Sequence, residues 1–518
     1  MRVSPHIESD FITALVAGVA AAPGADRRTV YAPFTGKPLV DLPLSGVSDV
    51  DDAVQRAQRA QRIWAGVSLA ERAKVLLRLH DLLLDRRSEA LDLLQLEVGK
   101  ARRDATEEIL DVAHAARYAA RLGPSLLRPH RRRSVAPGVL SASVHQQPKG
   151  VVGVITPWNY PLALLLNDAA PALMAGNALV IKPDEQTSLV TLWVASLLRA
   201  AGVPDDAVQV VTGDGPLIGG AVIDLVDYVA FTGSTETGRA VAERAASRLI
   251  GVSLELGGKN AAIVCADANL AKAARGLATG SFANAGQLCQ TFERIYVVDA
   301  VYDQFRSTFL QQVDGLHLSP ALDYSADVGS LVSAEHLEKV SGHVAEAVAA
   351  GARVITGGRP RPDIGPYFYE PTVLEGVTEQ MRVCREETFG PVVALYRVPD
   401  EFAAVAAAND SAHGLNASVW SRDIGRARAI AARLQAGTVH INDGYTGIWA
   451  TIDAPMGGVL DSGLGRRNGP EGMLRYTEPQ SVVVQRFIQV GGPAGQRYEG
   501  WAKLLTGYVR ALKAMGVR

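Results

Sequence analysis

Cysteine, net charge and long apolar runs are all scarce in this chain, and each absence excludes a class of protein. Only three cysteines occur in 518 residues, Cys265, Cys289 and Cys384. Three widely separated cysteines cannot build a disulfide framework, and they do not have the spacing of a zinc site. The formal net charge is −2, without the basic excess that a nucleic-acid partner requires. We therefore expect no metal site and no nucleic-acid partner.

No apolar stretch is long enough to suggest a membrane span. The stretch 160–181 is interrupted by two polar residues, a proline and a glycine, which leaves no run of about 18 apolar residues. The run 11–23 follows the acidic residues Glu8 and Asp10, where a signal peptide would carry basic ones. We interpret it as an N-terminal helix docked on the body of the protein, and we expect a cytoplasmic location.

The length of the chain predicts about two or three domains. From Val50 to Leu126 apolar residues recur at helical spacing, whereas segment 127–149 is interpreted as a hairpin or an arm outside the main body. After it, β-rich runs alternate with helical runs, which is typical of a parallel sheet in an α/β protein. The predicted strands are Val151–Ile155, Ala178–Ile181, Val208–Val211 and Val226–Phe231, and the predicted helices are Leu162–Met174 and Leu189–Ala201.

A second alternating block runs from Ala261 to about Val459, and an amphipathic tail follows Gln485. The clearest strands predicted in the block are Arg294–Val298, Ala417–Trp420 and Thr438–Ile441. The apolar residues that share one helical face of the tail are Trp501, Leu504, Leu505, Tyr508, Val509, Leu512 and Met515. We favour packing of this helix on its own domain or on a partner subunit over contact with a membrane surface or a role as a lid.

Cys289 and Glu255 are the strongest candidates for chemistry. Cys289 ends the run 284–289, and Glu255 lies in the run 254–259. A thiol can form a covalent intermediate, and a nearby carboxylate can take a proton from the water that releases it. The pair indicates covalent catalysis with a hydrolytic second step, while Cys265 is interpreted, like Cys384, as structural.

Two further motifs would complete such a site. Asn159 follows the first predicted strand of the sheet, where its amide could donate to a developing oxyanion together with the N–H of Cys289. Gly233 and Ser234 stand between a strand and a helix, where backbone N–H groups and the helix dipole can receive a phosphate.

Taken in order along the chain, these motifs closely resemble those of the aldehyde dehydrogenase superfamily. The resemblance covers roughly residues 30–485 and leaves the tail outside. The motifs that carry it are Pro157–Pro161, Lys182–Glu185, Gly233–Ser234, Leu254–Lys259, Gly286–Cys289, Glu386–Pro391 and Pro455–Gly458. The branch that it most resembles includes succinate-semialdehyde dehydrogenases.

The resemblance implies a role for each residue of these motifs. Cys289 would attack the carbon of a small-molecule aldehyde, Asn159 and the Cys289 amide would hold the oxyanion, and hydride would leave to NAD or NADP. Glu255 would then activate water against the thioester, and its presence favours hydrolysis over transfer to CoA. The implied cofactor-binding residues are Thr156, Pro157, Trp158, Lys182, Glu185, Gly213, Gly233, Ser234, Leu256, Glu387 and Phe389.

The resemblance also implies a three-part fold of α/β class. Residues 1–126 and 149–257 would form a Rossmann-like cofactor-binding domain, and 258–459 a catalytic α/β domain. Residues 127–148 and 474–489 would form a β oligomerisation arm, with 490–518 as a C-terminal amphipathic helical tail. An arm of this kind implies a homodimer or a homotetramer.

The residues leave the choice of cofactor open. A carboxylate at Glu185 can accept a hydrogen bond from the ribose 2′-hydroxyl and would repel a 2′-phosphate, which favours NAD. Lys182 could neutralise the phosphate, so NADP stays an alternative.

The substrate is also left open. Succinate semialdehyde is the candidate by resemblance, but its distal carboxylate needs a cation. Well-studied enzymes with this activity place arginines at positions that here read Asn167 and Ala283. These two residues favour a neutral or hydrophobic aldehyde, and a lysine or arginine beside Cys289 would contradict that interpretation.

The chain departs from the family at one position after the last motif. Arg466 is followed by Arg467 where relatives often have an Arg-Glu pair, and we assign this difference no function.

A non-catalytic protein of the same fold is the remote alternative, because function must be argued from the site. That alternative predicts a damaged nucleophile, base or oxyanion donor, and all three are intact.

Overall fold

The computed structural model describes residues 2–135, 140–486, 491–492 and 498–516. The strands are β1 Arg2–Ser4, β2 Ile7–Glu8, β3 Arg27–Ala32, β4 Lys37–Pro43, β5 His130–Arg132, β6 Leu140–Pro148, β7 Val151–Thr156, β8 Ala178–Pro183, β9 Val208–Val210, β10 Tyr228–Thr232, β11 Gly251–Glu255, β12 Asn260–Val264, β13 Phe292–Val298, β14 Arg353–Thr356, β15 Thr372–Glu375, β16 Val392–Val398, β17 His413–Gly414, β18 Asn416–Trp420, β19 Thr438–Ile441, β20 Val459–Leu460, β21 Gly463–Leu464 and β22 Thr477–Gln485.

Helices alternate with these strands along most of the chain, which confirms the predicted α/β class. The α-helices are α1 Ser9–Val16, α2 Val47–Gly66, α3 Leu69–Asp85, α4 Arg87–Val98, α5 Arg102–Leu127, α6 Pro161–Ala175, α7 Ser188–Ala201, α8 Gly220–Leu225, α9 Thr235–Ser247, α10 Leu270–Phe282, α11 Tyr302–Asp314, α12 Ala334–Ala349, α13 Arg382–Arg385, α14 Glu401–Asn409, α15 Ile424–Ala431, α16 Thr446–Ala450, α17 Gly469–Leu474 and α18 Tyr498–Ala514.

The N-terminal part is helical, as its apolar spacing predicts. Helices α2 to α5 fill the region 50–126, and their buried faces join the core that surrounds the first large sheet. The predicted N-terminal helix forms but is shorter than the apolar run, since α1 ends at Val16. Ile12 and Leu15 are buried against the body, which accounts for the apolar composition of this helix.

The first large sheet has the strand order β21-β11-β10-β7-β8-β9. Strands β7 to β11 are parallel to their neighbours, whereas β21 pairs antiparallel with β11. The chain builds outwards from β7 in one direction through β8 and β9, and then in the other through β10 and β11. In such sheets ligands bind at the carboxyl ends of the strands, beside the point where the order reverses.

The second large sheet has the order β14-β15-β16-β13-β12-β18-β19 and contains the strands predicted after Ala261. All of its pairings are parallel except that of β14 with β15. Helix α10 and the loop before β13 pass from this sheet towards the first one, so they carry residue 289 to the carboxyl end of β11.

A third, antiparallel sheet has the order β22-β6-β5. The hairpin predicted over 127–149 is present as β5 and β6, although residues 136–139 lie outside the described part of the chain. Strand β22 pairs with β6 from Thr477–Pro148 to Gln485–Leu140. The two strands therefore fall within the segments predicted as an oligomerisation arm, while that role and the domain boundaries stay predictions.

The tail forms the predicted amphipathic helix as α18, although residues 487–490, 493–497 and 517–518 lie outside the described part. Leu504, Val509 and Met515 are 60–65% exposed, and no residue of α18 is buried. Trp501, Leu505, Tyr508 and Leu512 of the same face are partly buried, and the Tyr508 hydroxyl donates to the carbonyl oxygen of Val135. Packing of α18 on its own domain or on a partner subunit stays a prediction. No described helix is long and apolar enough to cross a membrane.

Candidate active site

The three predicted catalytic residues line one cavity, which is formed where the two large sheets approach each other. Glu255 is the last residue of β11, and Asn159 follows β7 by three residues. Cys289 lies in the loop between α10 and β13. Asn159 and Cys289 are 130 positions apart along the chain. They line the same cavity because one follows the end of a strand and the other lies in a loop that reaches the same place.

The cysteine loop has an unusual backbone that only particular residues permit. Its 3₁₀ turn Ala283–Gly286 contains Asn284 and Ala285 at φ +49° and +55°. Gly286 has φ +74°, and a Cβ atom there would lie 2.0 Å from the carbonyl oxygen of Gly390. The loop is therefore packed directly against the neighbouring backbone, and glycine at 286 is required by space as well as by φ.

Asn159 is fixed to this loop by hydrogen bonds in both directions. Its side-chain Nδ2 donates to the carbonyl oxygen of Gln287 over 3.0 Å, and its own carbonyl oxygen accepts from Asn284 Nδ2 over 3.1 Å. An amide nitrogen carries two hydrogens, so one of them is left for another acceptor. This arrangement is compatible with the predicted oxyanion-donating role of Asn159.

The thiol of Cys289 is held in its protonated form. Burial raises the pKa of Cys289 to about 12, and the nearby charges of Glu387 and Glu255 act in the same direction. Arg467 and the Cys289 N–H oppose this shift. Because the thiolate is the attacking species, the thiol proton must pass to a base in the cavity or to solvent as substrate arrives.

Glu255 is suited to take protons near neutral pH. Burial raises the pKa of Glu255 to about 7, against the opposing charges of Arg467 and Arg475. Its Oε1 atom is buried without a hydrogen-bond partner among the described residues. A carboxylate that is desolvated and uncommitted can accept a proton from water or from a thiol in the same cavity.

Arg467 is a residue of the cavity that the sequence reasoning left without a role. Its buried guanidinium donates to Asp168 over 2.8 Å and to Thr232 Oγ1 over 3.0 Å. Asp168 also pairs with Arg475. The charges of the two arginines hold the pKa of Asp168 below its usual value, although burial alone would raise it. The Arg466-Arg467 departure was the signal in the sequence, but nothing there paired it with Asp168.

Arg467 is a cation that lines the same cavity as Cys289. Among the described residues that line the cavity, it is the one cationic side chain, and the carboxyl side chains in the lining are Glu107, Glu108, Asp111 and Glu255. The presence of Arg467 therefore contradicts the argument that Asn167 and Ala283 leave the tunnel without a cation and for that reason favour a neutral aldehyde. Its guanidinium is nevertheless already paired with Asp168.

The two positions that suggested a neutral substrate lie in different surroundings. Asn167 lines the cavity, and its Nδ2 donates to Asp111 over 2.8 Å, while its Oδ1 is buried without a partner. Ala283 is fully buried and does not line the described cavity. Burial raises the pKa of Asp111 to about 6. Leu164 and Trp449 complete an apolar wall.

The predicted cofactor-binding residues fall mainly at the carboxyl ends of the five parallel strands of the first sheet. Those that end or follow strands β7 to β11 in turn are Thr156, Pro157 and Trp158, then Lys182 and Glu185, then Gly213, then Gly233 and Ser234, and finally Leu256. Ser234 caps α9, since its hydroxyl accepts from the N–H of Thr237 over 3.2 Å. The positive end of a 13-residue helix therefore opens at this edge.

Glu387 and Phe389 lie in the loop between α13 and β16, and β16 belongs to the second sheet. Glu387 Oε1 accepts from the N–H of Gly258 over 2.9 Å, and the ring of Phe389 meets that of Trp158 edge-on at 5.6 Å. The loop is held by the buried carboxylate of Glu293, which accepts from the N–H groups of Thr388 and Phe389 at 2.9–3.0 Å. Glu293 in turn pairs with Lys259, and sequence reasoning identified neither role.

Two polar atoms show that these strand ends fit a bound dinucleotide. Thr156 Oγ1 and Glu185 Oε1 are buried without hydrogen-bond partners among the described residues. The carboxylate of Glu185, at the start of the 3₁₀ helix Glu185–Thr187, pairs with Arg28 of β3. Lys182 lies at the end of β8 with its pKa lowered by burial.

Comparison with known proteins agrees with this geometry. The sequence pattern of the aldehyde dehydrogenase family matches residues 21–482. A protein of Mycolicibacterium smegmatis, provisionally named as a succinate-semialdehyde dehydrogenase with NADP(+), is 49% identical over 488 residues, with 94% of each chain covered. A solved Escherichia coli NADP-dependent enzyme superposes with a TM-score of 0.87 at 35% identity, covering 92% of this chain and 99% of that one. An NAD-dependent aldehyde dehydrogenase from Sinorhizobium meliloti gives 0.87 at 36%, covering 92% and 94%.

Proposed function

This chain belongs to the aldehyde dehydrogenase family, and we propose that it oxidises an aldehyde to its carboxylic acid with NAD or NADP through a thioester on Cys289. The observation that carries the proposal is the meeting of Cys289, Glu255 and Asn159 in one cavity. A thiol, a base with a pKa near 7 and an amide donor are the groups that this two-step reaction needs.

In the first step the sulfur of Cys289 adds to the aldehyde carbon, and the thiol proton passes to Glu255 or to solvent. The carbonyl oxygen becomes an oxyanion, which the free N–H of Asn159 and the backbone N–H of Cys289 stabilise. The nicotinamide ring, when bound, supplies the hydride acceptor. Loss of hydride leaves a thioester on Cys289.

In the second step Glu255 takes a proton from water as the water oxygen attacks the thioester carbon. The sulfur leaves as a thiolate, which takes a proton and restores the thiol, and the acid departs. A base is required here because neutral water is a poor nucleophile. Glu255 Oε1 has no hydrogen-bond partner in the described part of the chain, which leaves that atom able to act.

The charge balance of the described lining, and not the lack of a cation, favours a neutral aldehyde. Four carboxyl groups and one guanidinium line the cavity, and Asp111 stands beside Asn167 where related enzymes for succinate semialdehyde carry an arginine. A substrate carboxylate would meet repulsion from Asp111 whenever that group is ionised.

Succinate semialdehyde is the second candidate, and two observations favour it. The relative from M. smegmatis is provisionally named for this activity, and Arg467 lines the cavity. To bind the substrate carboxylate, the guanidinium of Arg467 would have to share its charge between that group and Asp168.

Measurement of kcat/KM for butanal and for succinate semialdehyde, with NAD and NADP in turn, tests these proposals, with Cys289→Ala as the blank. We expect butanal to be preferred. A strong preference for succinate semialdehyde would assign Arg467 to the substrate carboxylate, and the Arg467→Met variant should then lose that preference. No reduced nicotinamide above the blank with any aldehyde would contradict the proposed reaction itself.

We also propose that the enzyme is a homodimer or a homotetramer and works in the cytoplasm. Support for the assembly comes from the β5-β6-β22 sheet, whose strand β22 leaves Val482, Val483 and Val484 exposed. An exposed row of valines on an edge strand favours pairing with another surface.

A further inference from the structure

We propose that Arg28 makes the adenosine end of the cofactor site selective for NADP, by offsetting the charge of Glu185 and by offering a guanidinium to the 2′-phosphate. This inference rests on the proposed function, because it takes Lys182 and Glu185 as the site of the adenine ribose. Arg28 lies in β3, far in the sequence from the strands that hold the rest of the site.

Strand β3 is held against the start of the ribose site by hydrogen bonds. Gln186 Nε2 donates to the carbonyl oxygen of Tyr31 over 2.9 Å and to that of Glu97 over 2.7 Å. These bonds place the side chain of Arg28 beside the 3₁₀ helix that begins at Glu185, where the two form an ion pair. The position of Arg28 is therefore set by the fold of the N-terminal segment.

The ion pair changes the charge at Glu185. One carboxylate oxygen, Oε2, is paired with Arg28, whereas the other, Oε1, is buried without a hydrogen-bond partner among the described residues. Oε1 can still accept a hydrogen bond from a ribose 2′-hydroxyl, so Arg28 acts here through its charge and leaves that contact open. The positive charge of Arg28 also offsets the negative charge that would repel a 2′-phosphate.

Arg28 retains the means to bind a phosphate. A guanidinium has five N–H donors in a planar fork that matches phosphate oxygens, and the side chain of Arg28 is 50% exposed. Lys182 supplies a second cation at the end of β8.

Two carboxyl groups lie near these cations. Asp184 accepts from the N–H of Gln186 over 3.0 Å, and burial raises its pKa although the charges of Lys182 and Arg28 act against that shift. Asp214 accepts from the N–H of Leu217 over 3.1 Å and also interacts with Lys182. Lys182 is buried and Arg28 is half exposed, so Arg28 is the cation that a phosphate can reach.

Calorimetric titration of the full chain with NADP+ and with NAD+ tests this inference directly by measuring Kd. In Arg28→Ala we expect the Kd for NADP+ to rise about tenfold or more, since charge-assisted bonds of this kind are each worth roughly that factor. The Kd for NAD+ should stay within about twofold, because Glu185 Oε1 can accept from the ribose 2′-hydroxyl with or without Arg28. Arg27→Ala is the matched control, since Arg27 on the same strand bonds to the carbonyl oxygen of Asp41 at the surface, and it should change neither value.

The outcomes separate this inference from the proposed function. If the unmodified chain binds both nucleotides and Arg28→Ala weakens them equally or not at all, Arg28 does not select NADP. If the unmodified chain binds neither, the proposed function and this inference both fail. Should Arg28→Ala fold poorly, Glu185→Ala gives an independent reading: it should leave NADP+ binding unweakened, and a large loss of NADP+ affinity would overturn the inference.

Discussion

At the residue scale, the protonation of Glu255 sets the conditions for turnover. Burial raises the pKa of this carboxyl to about 7, so it is protonated below that pH and able to act as a base only above it. When thioester hydrolysis limits the rate, kcat should therefore rise as the pH increases through about 7, and measurement of kcat between about pH 6 and 8 checks this. A kcat that falls with rising pH over this range would contradict the assignment.

Arg467 should influence the pH at which kcat rises, although its guanidinium takes no proton itself. Its charge lowers the pKa of Glu255, so Arg467→Met should move the rise in kcat to higher pH. Arg466→Met is the control, because the Arg466 guanidinium bonds to the carbonyl oxygens of Gly458 and Gly465 and is a smaller influence on Glu255. An equal shift in both variants would show that the Asp168–Arg467 pair has no special role.

The same variant should also cost stability. Removing one partner of a buried ion pair typically costs about 3–5 kcal/mol, but Asp168 keeps Arg475 and the hydroxyl of Tyr476 as partners. We expect Arg467→Met to lose on the order of 2–3 kcal/mol of free energy of unfolding, measured by denaturant titration. A loss below about 0.5 kcal/mol would place the Arg467 charge in a better-solvated environment than the structure gives it.

At the scale of the elements, the cysteine loop depends on Gly286. Gly286→Ala would put a Cβ atom 2.0 Å from the carbonyl oxygen of Gly390, at a φ of +74°. The loop must shift, so we expect activity to fall at least tenfold, because misplacement of about 1 Å can cost about 100-fold. Gly342→Ala in α12 is the control, since a Cβ there meets nothing within 4 Å, and its activity should be unchanged. Equal activities in the two variants would contradict the account of this loop.

The elements themselves were largely predictable, and the reason is physical. Buried parallel strands such as β7 and β8 are near-continuous apolar runs rich in valine, isoleucine and leucine, so the predictions Val151–Ile155 and Ala178–Ile181 were correct to within two residues. Contacts across the chain could not be predicted in this way. The pairs Asp168–Arg467 and Glu185–Arg28 depend on which elements the fold brings together. Local sequence patterns do not predict such long-range contacts.

At the scale of the whole molecule, exposed apolar side chains are found among the described residues of both β22 and α18. Val483 is 63% exposed on β22, which we propose as part of the subunit interface. Val483→Asp should lower the molecular mass found by sedimentation equilibrium, because a charge desolvated at an interface is costly. Val348→Asp, at a valine that is 45% exposed on α12, should leave the mass unchanged. An unchanged assembly in Val483→Asp would exclude this face.

The tail shows where prediction from sequence fails at this scale. Its apolar stripe correctly predicted the helix α18, because the spacing of apolar residues reports on local structure. The same stripe does not identify what covers it, because packing on its own domain and packing on a partner subunit need the same apolar face. Within the site, by contrast, the family motifs led to Cys289, Glu255 and Asn159 because each stands at a strand end or in a loop whose position the fold fixes.

The most direct test of the central claim is a single-turnover experiment on Glu255→Gln. This variant keeps the nucleophile and lacks the base for hydrolysis, so mixing it with aldehyde and the preferred cofactor should give a burst of reduced nicotinamide equal to the number of active sites. Steady turnover should then be roughly 10²–10⁴-fold slower than in the unmodified enzyme. Mass spectrometry of the quenched protein should find the acyl group on Cys289, and Cys289→Ala should give neither burst nor adduct. A missing burst with normal steady turnover, or an acyl group on another residue, would contradict the assignment of Cys289 and Glu255.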